Sequence, residues 1–263
     1  MNFSTICIVS LLFITLYFIH NYTIEEVEEY KHEIKPIEGN SNKLPLPPLK
    51  IIKNKKFYSQ IRDIRRRKKS NIYVPIGEEI INLNKIGSLL VVGPTGCGKS
   101  ILVTNIICSI IMNYSSNDIK LALIDTSTVE FEKYKDLDFV IKKEQDIDLI
   151  KRMEREVFIR RQLFKTHKVN HIEEYNKKGN QMSSILLIID DLYDFQDIDL
   201  SHIINNTVGI YVILVSDFDN NNFNIPKIQF TGIGKLKYKD KEYNSIELDK
   251  EEIENIVNYY KDL

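Results

Sequence analysis

Four short segments are almost uninterrupted in aliphatic character: "SLLVVG" at residues 88–93, "KLALID" at 120–125, "SILLIID" at 184–190 and "IYVILVS" at 210–216. A strand with one wet face alternates apolar and polar residues, whereas a strand covered on both faces has no polar side to display. These four segments therefore read as inner strands of a parallel sheet, each joined to the next by a crossover. Helix-length stretches separate them, at residues 100–113, roughly 145–176 and, more briefly, 201–206. The alternation defines an α/β class with a doubly wound, mainly parallel sheet flanked by helices. A last helix is expected in "LDKEEIENIVNYYKDL", where Asp249 is placed to cap the first turn. No internal repeat is present.

The first strand runs into "GPTGCGKS", residues 93–100, which matches G-x-x-x-x-G-K-[ST] and stands between an expected strand and an expected helix. In that setting glycines let backbone N–H groups wrap phosphates without side-chain clash, and the helix adds its positive N-terminal end. Gly93, Pro94, Thr95, Gly96, Cys97 and Gly98 are the expected nucleotide-binding loop. Lys99 is expected to reach the β- and γ-phosphates of ATP, and Ser100 to hold Mg²⁺. The third strand ends in a pair of acids. Asp190 is the expected second ligand of the metal, and Asp191 is placed to face the γ-phosphate and polarise a water. Many nucleotide motors carry glutamate at that second position; aspartate is one methylene shorter and must act from closer in or through another water. Asp194, one helical turn onward, reads as a cap or surface acid. Cys97, inside the loop, is expected to be alkylated less when ATP is bound, unless its thiol points away from the phosphates.

The remaining chemistry is narrowed by what is missing. Cys7, Cys97 and Cys108 have no metal-ligand spacing, and their odd number argues against a closed disulfide framework. The five histidines are scattered, with no HExxH or similar cluster, which disfavours a metal enzyme built on His ligands.

Residues 3–19, "FSTICIVSLLFITLYFI", carry no charge and reach the minimum length of a spanning helix. An uncleaved single-pass membrane anchor over residues 1–20 is the reading taken. The competing readings are a signal peptide, which should show a positive leading region and a small-residue cleavage site, and a buried helix. Residues 21–70 read as a juxtamembrane linker. An acidic stretch with Glu25, Glu26, Glu28, Glu29 and Glu33 precedes the proline-rich "GNSNKLPLPPLK", and residues 50–69 then hold ten Lys or Arg against one acid, Asp63. No compact fold is expected before about residue 70. The "RRRKKS" segment at 65–70 suits nucleic acid, anionic lipid headgroups or a solvated topology signal. Basic residues C-terminal to the span place the body, residues 71–263, in the cytoplasm.

In order and spacing, "GSLLVVGPTGCGKS", "LALIDTSTVEFEKY", "RMEREVFIRRQLFKTHKVNHIEEYNKK" and "ILLIIDDLYDF" resemble the motor domain of FtsK/SpoIIIE-type DNA translocases. The family's ID-P-K-x-x-E-L-x-x-Y segment is met by Asp125, Glu130, Phe131 and Tyr134. Its M-E-x-R-Y helix and Y-N motif are met by Met153, Glu154, Tyr175 and Asn176, and its acid strand by Asp190, Asp191 and Asp194. The resemblance covers about residues 71–263. It implies a RecA-like P-loop NTPase core that binds ATP and Mg²⁺, assembles as a ring, commonly a hexamer, and moves double-stranded DNA. Relatives on mobile elements act in conjugative transfer.

The chain departs from the family in several places. Thr126 and Ser127 replace the family's proline and lysine. Where relatives read close to "ATQRP" after the fourth strand, this chain has "LVSDFD" at 214–219, and "NIPKIQF" at 224–230 has Lys227 near an expected arginine. No arginine occurs after Arg161. The departures keep two alternatives open: a nucleotide-binding membrane scaffold with weak or no hydrolysis, and a type VII-like secretion ATPase, though such motors usually string several motor domains together. Around residues 153–162, Arg152, Arg155, Arg160 and Arg161 read as a solvated helix face. The chain ends soon after the core, so no DNA-reading appendage and no sequence-directed polarity are expected.

Overall fold

A computed structural model of the protein describes residues 45–48, 51–67, 70–125, 130–141, 146–195, 198–204, 206, 208–219 and 223–262. Helix α1 (Lys55–Arg66) begins at Asn54, whose side-chain oxygen accepts a hydrogen bond from Phe57 N. Phe57, Gln60, Ile61 and Ile64 are buried, so a single stripe faces inward, while Arg62 and Arg66 are exposed. A hairpin follows, β1 (Tyr73–Ile76) and β2 (Glu79–Asn82), turning through Gly77 at φ +58°, where a Cβ would stand 2.4 Å from Asn244 O. A helical turn, α2 (Leu83–Ile86), leads into β3 (Ser88–Val92), α3 (Lys99–Asn113) and β4 (Ile119–Asp125). Next come α4 (Asp146–His167), α5 (Ile172–Lys177), β5 (Ser184–Asp190), α6 (Ser201–Ile204) and β6 (Ile210–Ser216). The chain closes with β7 (Lys227–Gly232), β8 (Lys235–Tyr238), β9 (Lys241–Asn244) and α7 (Lys250–Lys261).

Seven strands form one sheet in the order β4-β5-β6-β3-β7-β8-β9. The first five in that order are parallel, and β8 and β9 extend the sheet as an antiparallel hairpin. Leu89 and Val91 of β3 point into a core shared with α1, α3 and α7, whereas Leu90 and Val92 point into a second core with α4, α5 and α6. Helices therefore cover both faces, and the four near-continuous aliphatic runs are the four strands β3 to β6. Helix α3 is buried along its whole length from Leu102 to Asn113, the condition under which a helix has no polar face.

Three expectations are corrected. The packed body begins before residue 71, because α1 is fastened to the start of α7 and to the end of α3. Asn54 N donates to Glu252 Oε1 at 2.7 Å and Asn54 Nδ2 to Glu247 O at 2.8 Å, while Arg65 Nη2 caps the end of α3 at Met112 O, 2.6 Å away. The basic composition of residues 50–69 concealed the apolar stripe, and Arg65 is spent on a helix terminus rather than solvated. Arg160 is likewise not part of a solvated face, being only 2% exposed. Its guanidinium pairs with Glu156 at 2.7 Å and donates to Val208 O and Ser183 O, the carbonyls that lead into β6 and β5. Thirdly, the single stretch 145–176 is two helices, separated around Lys168, whose φ is +51°. Among the described residues, no helix is long and apolar enough to cross a membrane. The apolar run 3–19, the acidic stretch before it reaches the prolines, Lys68, Lys69, Thr126 and Ser127 lie outside the described residues.

Candidate functional site

Parallel strands end on a common edge, and crevices form there because the loops leave in opposite directions. Here the edge carries Asp125 from β4, Asp190 from β5, Ser216 and Asp217 from β6, and Gly93 from β3. Asp125 and Asp190 are paired in register, as are Val92 and Ser216, and Gly93 N donates to Ser216 O at 3.3 Å. Strand β6 thus separates the acid-bearing strand from the glycine loop.

The loop is set by backbone geometry. Cys97 N bonds Pro94 O at 3.2 Å, and Gly96 and Gly98 have φ of +80° and +116°, the left-handed region where a side chain is strained. Gly93 is needed for a different reason: a Cβ there would fall 2.6 Å from Phe230 Cβ and 2.8 Å from Cys97 Sγ. Strand β7 supports the loop from below through Phe230, and the β7–β8 turn fastens it through Gly234 N to Cys97 O at 3.0 Å. Cys97 is buried, its sulfur turned against Gly93 and the core. The thiol is thus buried beneath the loop, whose Pro94, Thr95 and Gly96 are exposed.

Lys99 opens α3 and folds back over the loop. Its ammonium donates to Gly93 O at 2.6 Å, Pro94 O at 3.2 Å and Asp217 Oδ1 at 2.6 Å. Thr95 Oγ1 donates to the other oxygen of Asp217 at 2.7 Å. Both contacts, Lys99 first and Thr95 second, hold the Asp217 carboxyl below its ordinary range. Ser100 is exposed in the first turn of α3.

At the other side of β6, Asp190 is half-buried and its carboxyl is pushed up to about 6, chiefly by burial and then by the charges of Asp125 and Glu130. Asp125 is buried, and its Oδ2 accepts from Glu130 N at 2.8 Å. Asp191 is exposed and sits at φ +63°. Asp194 lies in the 3₁₀ turn Leu192–Phe195, where its side chain is outside the described residues.

The glycine loop and the acids fit a polyphosphate with a hard divalent cation, on two observations. The cradle is one that a single Cβ would fill, and Asp190, raised first by burial and then by the charges of Asp125 and Glu130, stands among hard oxygen donors whose repulsion a cation would offset. Sequence reasoning did not find Phe230 as the floor of the loop or Asp217 as the partner of Lys99. The only signal for the second was an acid standing where relatives read a polar amide.

A model of the FtsK/SpoIIIE family matches residues 50–217. The DNA translocase FtsK of Staphylococcus epidermidis is 31% identical over 184 residues, covering 60% of this chain and 22% of that protein. The DNA translocase FtsK of Campylobacter jejuni is 27% identical over 148 residues, covering 50% and 16%. The chain thus spans about a fifth of the length of these curated relatives. Among solved structures, the pCW3 conjugation coupling protein TcpA, in its monomer form with ATPγS, aligns with a TM-score of 0.60 at 20% identity, over 75% of this chain and 72% of that one. The EssC ATPases 2 and 3 of Geobacillus thermodenitrificans align at 0.59 and 16%, over 72% and 48%. At these identities the likeness is one of fold.

Proposed function

The chain belongs to the FtsK/SpoIIIE family, and from that membership we propose that it is an ATP-dependent translocase of double-stranded DNA. The observation that carries this reading is the placement of Lys99 and Asp190 on one edge of a parallel sheet, on either side of β6. The loop N–H groups and Lys99 bind the phosphates, and Asp191 orients the attacking water. Mg²⁺ would be held by Ser100 and Asp190 and would supply positive charge to offset that of the phosphates. Residues 3–19 serve as a single-pass anchor with the body in the cytoplasm, the assembly is a homo-oligomeric ring, taken as a hexamer, and the setting is DNA transfer by a mobile element. The charge-free run with basic residues after it supports the anchor.

Steady-state ATP hydrolysis by the full chain, with and without duplex DNA, tests the proposal. Stimulation by DNA that disappears in Lys99→Ala is expected, and robust hydrolysis indifferent to DNA overturns it. A second reading, a nucleotide-binding scaffold of slow turnover, is favoured by Asp191 and by the lack of any arginine after Arg161 to serve as a finger for a neighbouring copy. ATP binding without turnover in an oligomeric preparation, with or without DNA, selects it. Hydrolysis driven by a secreted polypeptide instead of DNA selects a secretion ATPase.

A further inference from the structure

The Lys99–Asp217 pair has a property that an ordinary surface ion pair lacks. An ammonium has three protons to donate, and here Gly93 O, Pro94 O and Asp217 Oδ1 take them. The second oxygen of the same carboxylate takes Thr95, another residue of the loop. A phosphate oxygen and Asp217 Oδ1 cannot accept the same Lys99 proton, and two anions side by side in the loop repel each other.

Resting on the assignment of this loop to nucleotide, we propose that Asp217 is a positioning residue that closes the phosphate loop on itself, so that a nucleoside di- or triphosphate binds only by replacing the carboxylate at Lys99 and Thr95. The setting permits that exchange. The Lys99 side chain is 11% exposed and the Asp217 side chain 45%, so the carboxylate is the partner on the solvent side. Phe218, the next residue, is 73% exposed, and its N–H bonds Ser216 Oγ at 3.2 Å, so the turn is held locally. Swinging Asp217 outward takes no buried side chain from either core. Asp219 is already paired with Lys227 and so is not drawn into the loop in its place. Asp217 follows directly on β6, which pairs with β5 as far as Ile189 and Leu214, one residue short of Asp190, so the carboxylate leaves from the strand between the two halves of the site.

Binding of the methylanthraniloyl derivatives of ATP, ADP and AMP to the full chain, followed by fluorescence without turnover, tests this. In Asp217→Asn, ATP and ADP should bind roughly tenfold more tightly, the order expected from removing one partly exposed charge-assisted contact, while AMP, whose single phosphate does not need Lys99, should be unchanged. Asp217→Gln should move in the same direction and serves where the first variant melts differently from the parent. Equal or weaker ATP and ADP binding in the folded variants overturns the proposal, as does an equal gain for AMP. Lys99→Ala separates the two levels: if it binds ATP as the parent does, the loop assignment fails, whereas loss of binding there with no gain at Asp217 refutes the closure alone.

Discussion

Asp125 and Asp190 are register partners at the ends of adjacent parallel strands, and Glu130 turns back onto the first of them. Three acids therefore share one edge, and the half-buried Asp190 holds its proton up to about 6 against an ordinary 3.8. The raised value means that the folded protein binds more protons than the unfolded chain between those limits, so stability falls as pH rises through the interval.

Asp190→Asn removes that loss. In buffer free of divalent metal, the variant should melt at a higher temperature than the parent above about pH 6, and the two curves should converge as pH falls below 3.8. Thermal unfolding across pH 3.5–8 (on the order of eight points) measures it, and a variant destabilised at neutral pH would contradict the electrostatic account.

Gly93→Ala places a methyl group 2.6 Å from Phe230 Cβ and 2.8 Å from Cys97 Sγ. Overpacking of this kind costs about 1–3 kcal/mol, and the strain falls on the loop that receives phosphate. Nucleotide binding should be lost while the far-ultraviolet circular dichroism is retained. Adding Phe230→Leu to Gly93→Ala should not restore binding, because leucine keeps the Cβ that the new methyl meets, and recovery there would show that the clash is not the cause.

Arg160→Met keeps the bulk and deletes the charge, leaving Glu156 and the carbonyls of Ser183 and Val208 without their common donor. A loss of about 2–4 kcal/mol is expected in chemical denaturation. Arg160→Lys should not restore it, because one ammonium does not span three acceptors set around a planar fork.

Phe57→Ala empties a fully buried site and should cost about 3–5 kcal/mol. The companion experiment uses fragments. One starting at residue 45 should unfold cooperatively, whereas one starting at residue 71 exposes the surfaces of α3 and α7 that α1 covers and should be markedly less stable or aggregate. Equal stability of the two fragments would show that α1 is an accessory.

The parts of the fold legible in the sequence were those where burial leaves a one-dimensional trace. Strands β3 to β6 have no polar side, α3 follows a glycine loop of recognisable spacing, and Asp249 caps α7 by a capping box with Glu252. Helix α1 was hidden because three apolar residues set its inner face within a strongly basic stretch, and net charge masks so narrow a stripe. Strands β7 to β9 alternate apolar and polar residues over only four to six positions each, with lysines throughout, a pattern as compatible with a solvated loop. Arg160 looked solvated because a burying environment made of carbonyls from two distant loops has no local signature. For the site, spacing located the loop and the acid strand. The closure of Lys99 onto Asp217 joins residues 118 positions apart and depends on which strand lies beside β3, a matter of sheet order.

Asn54 offers a mechanical consequence. Its backbone N–H and its side-chain amide are fastened to Glu252 and Glu247, so the start of α1 is riveted to the start of α7 rather than to the loop edge of the sheet. A pull applied to the chain ahead of residue 54 enters the body through α1 and α7, which lie on the same face as α3. Tension applied there would therefore be borne by the packed back of the domain rather than by the loop edge of the sheet.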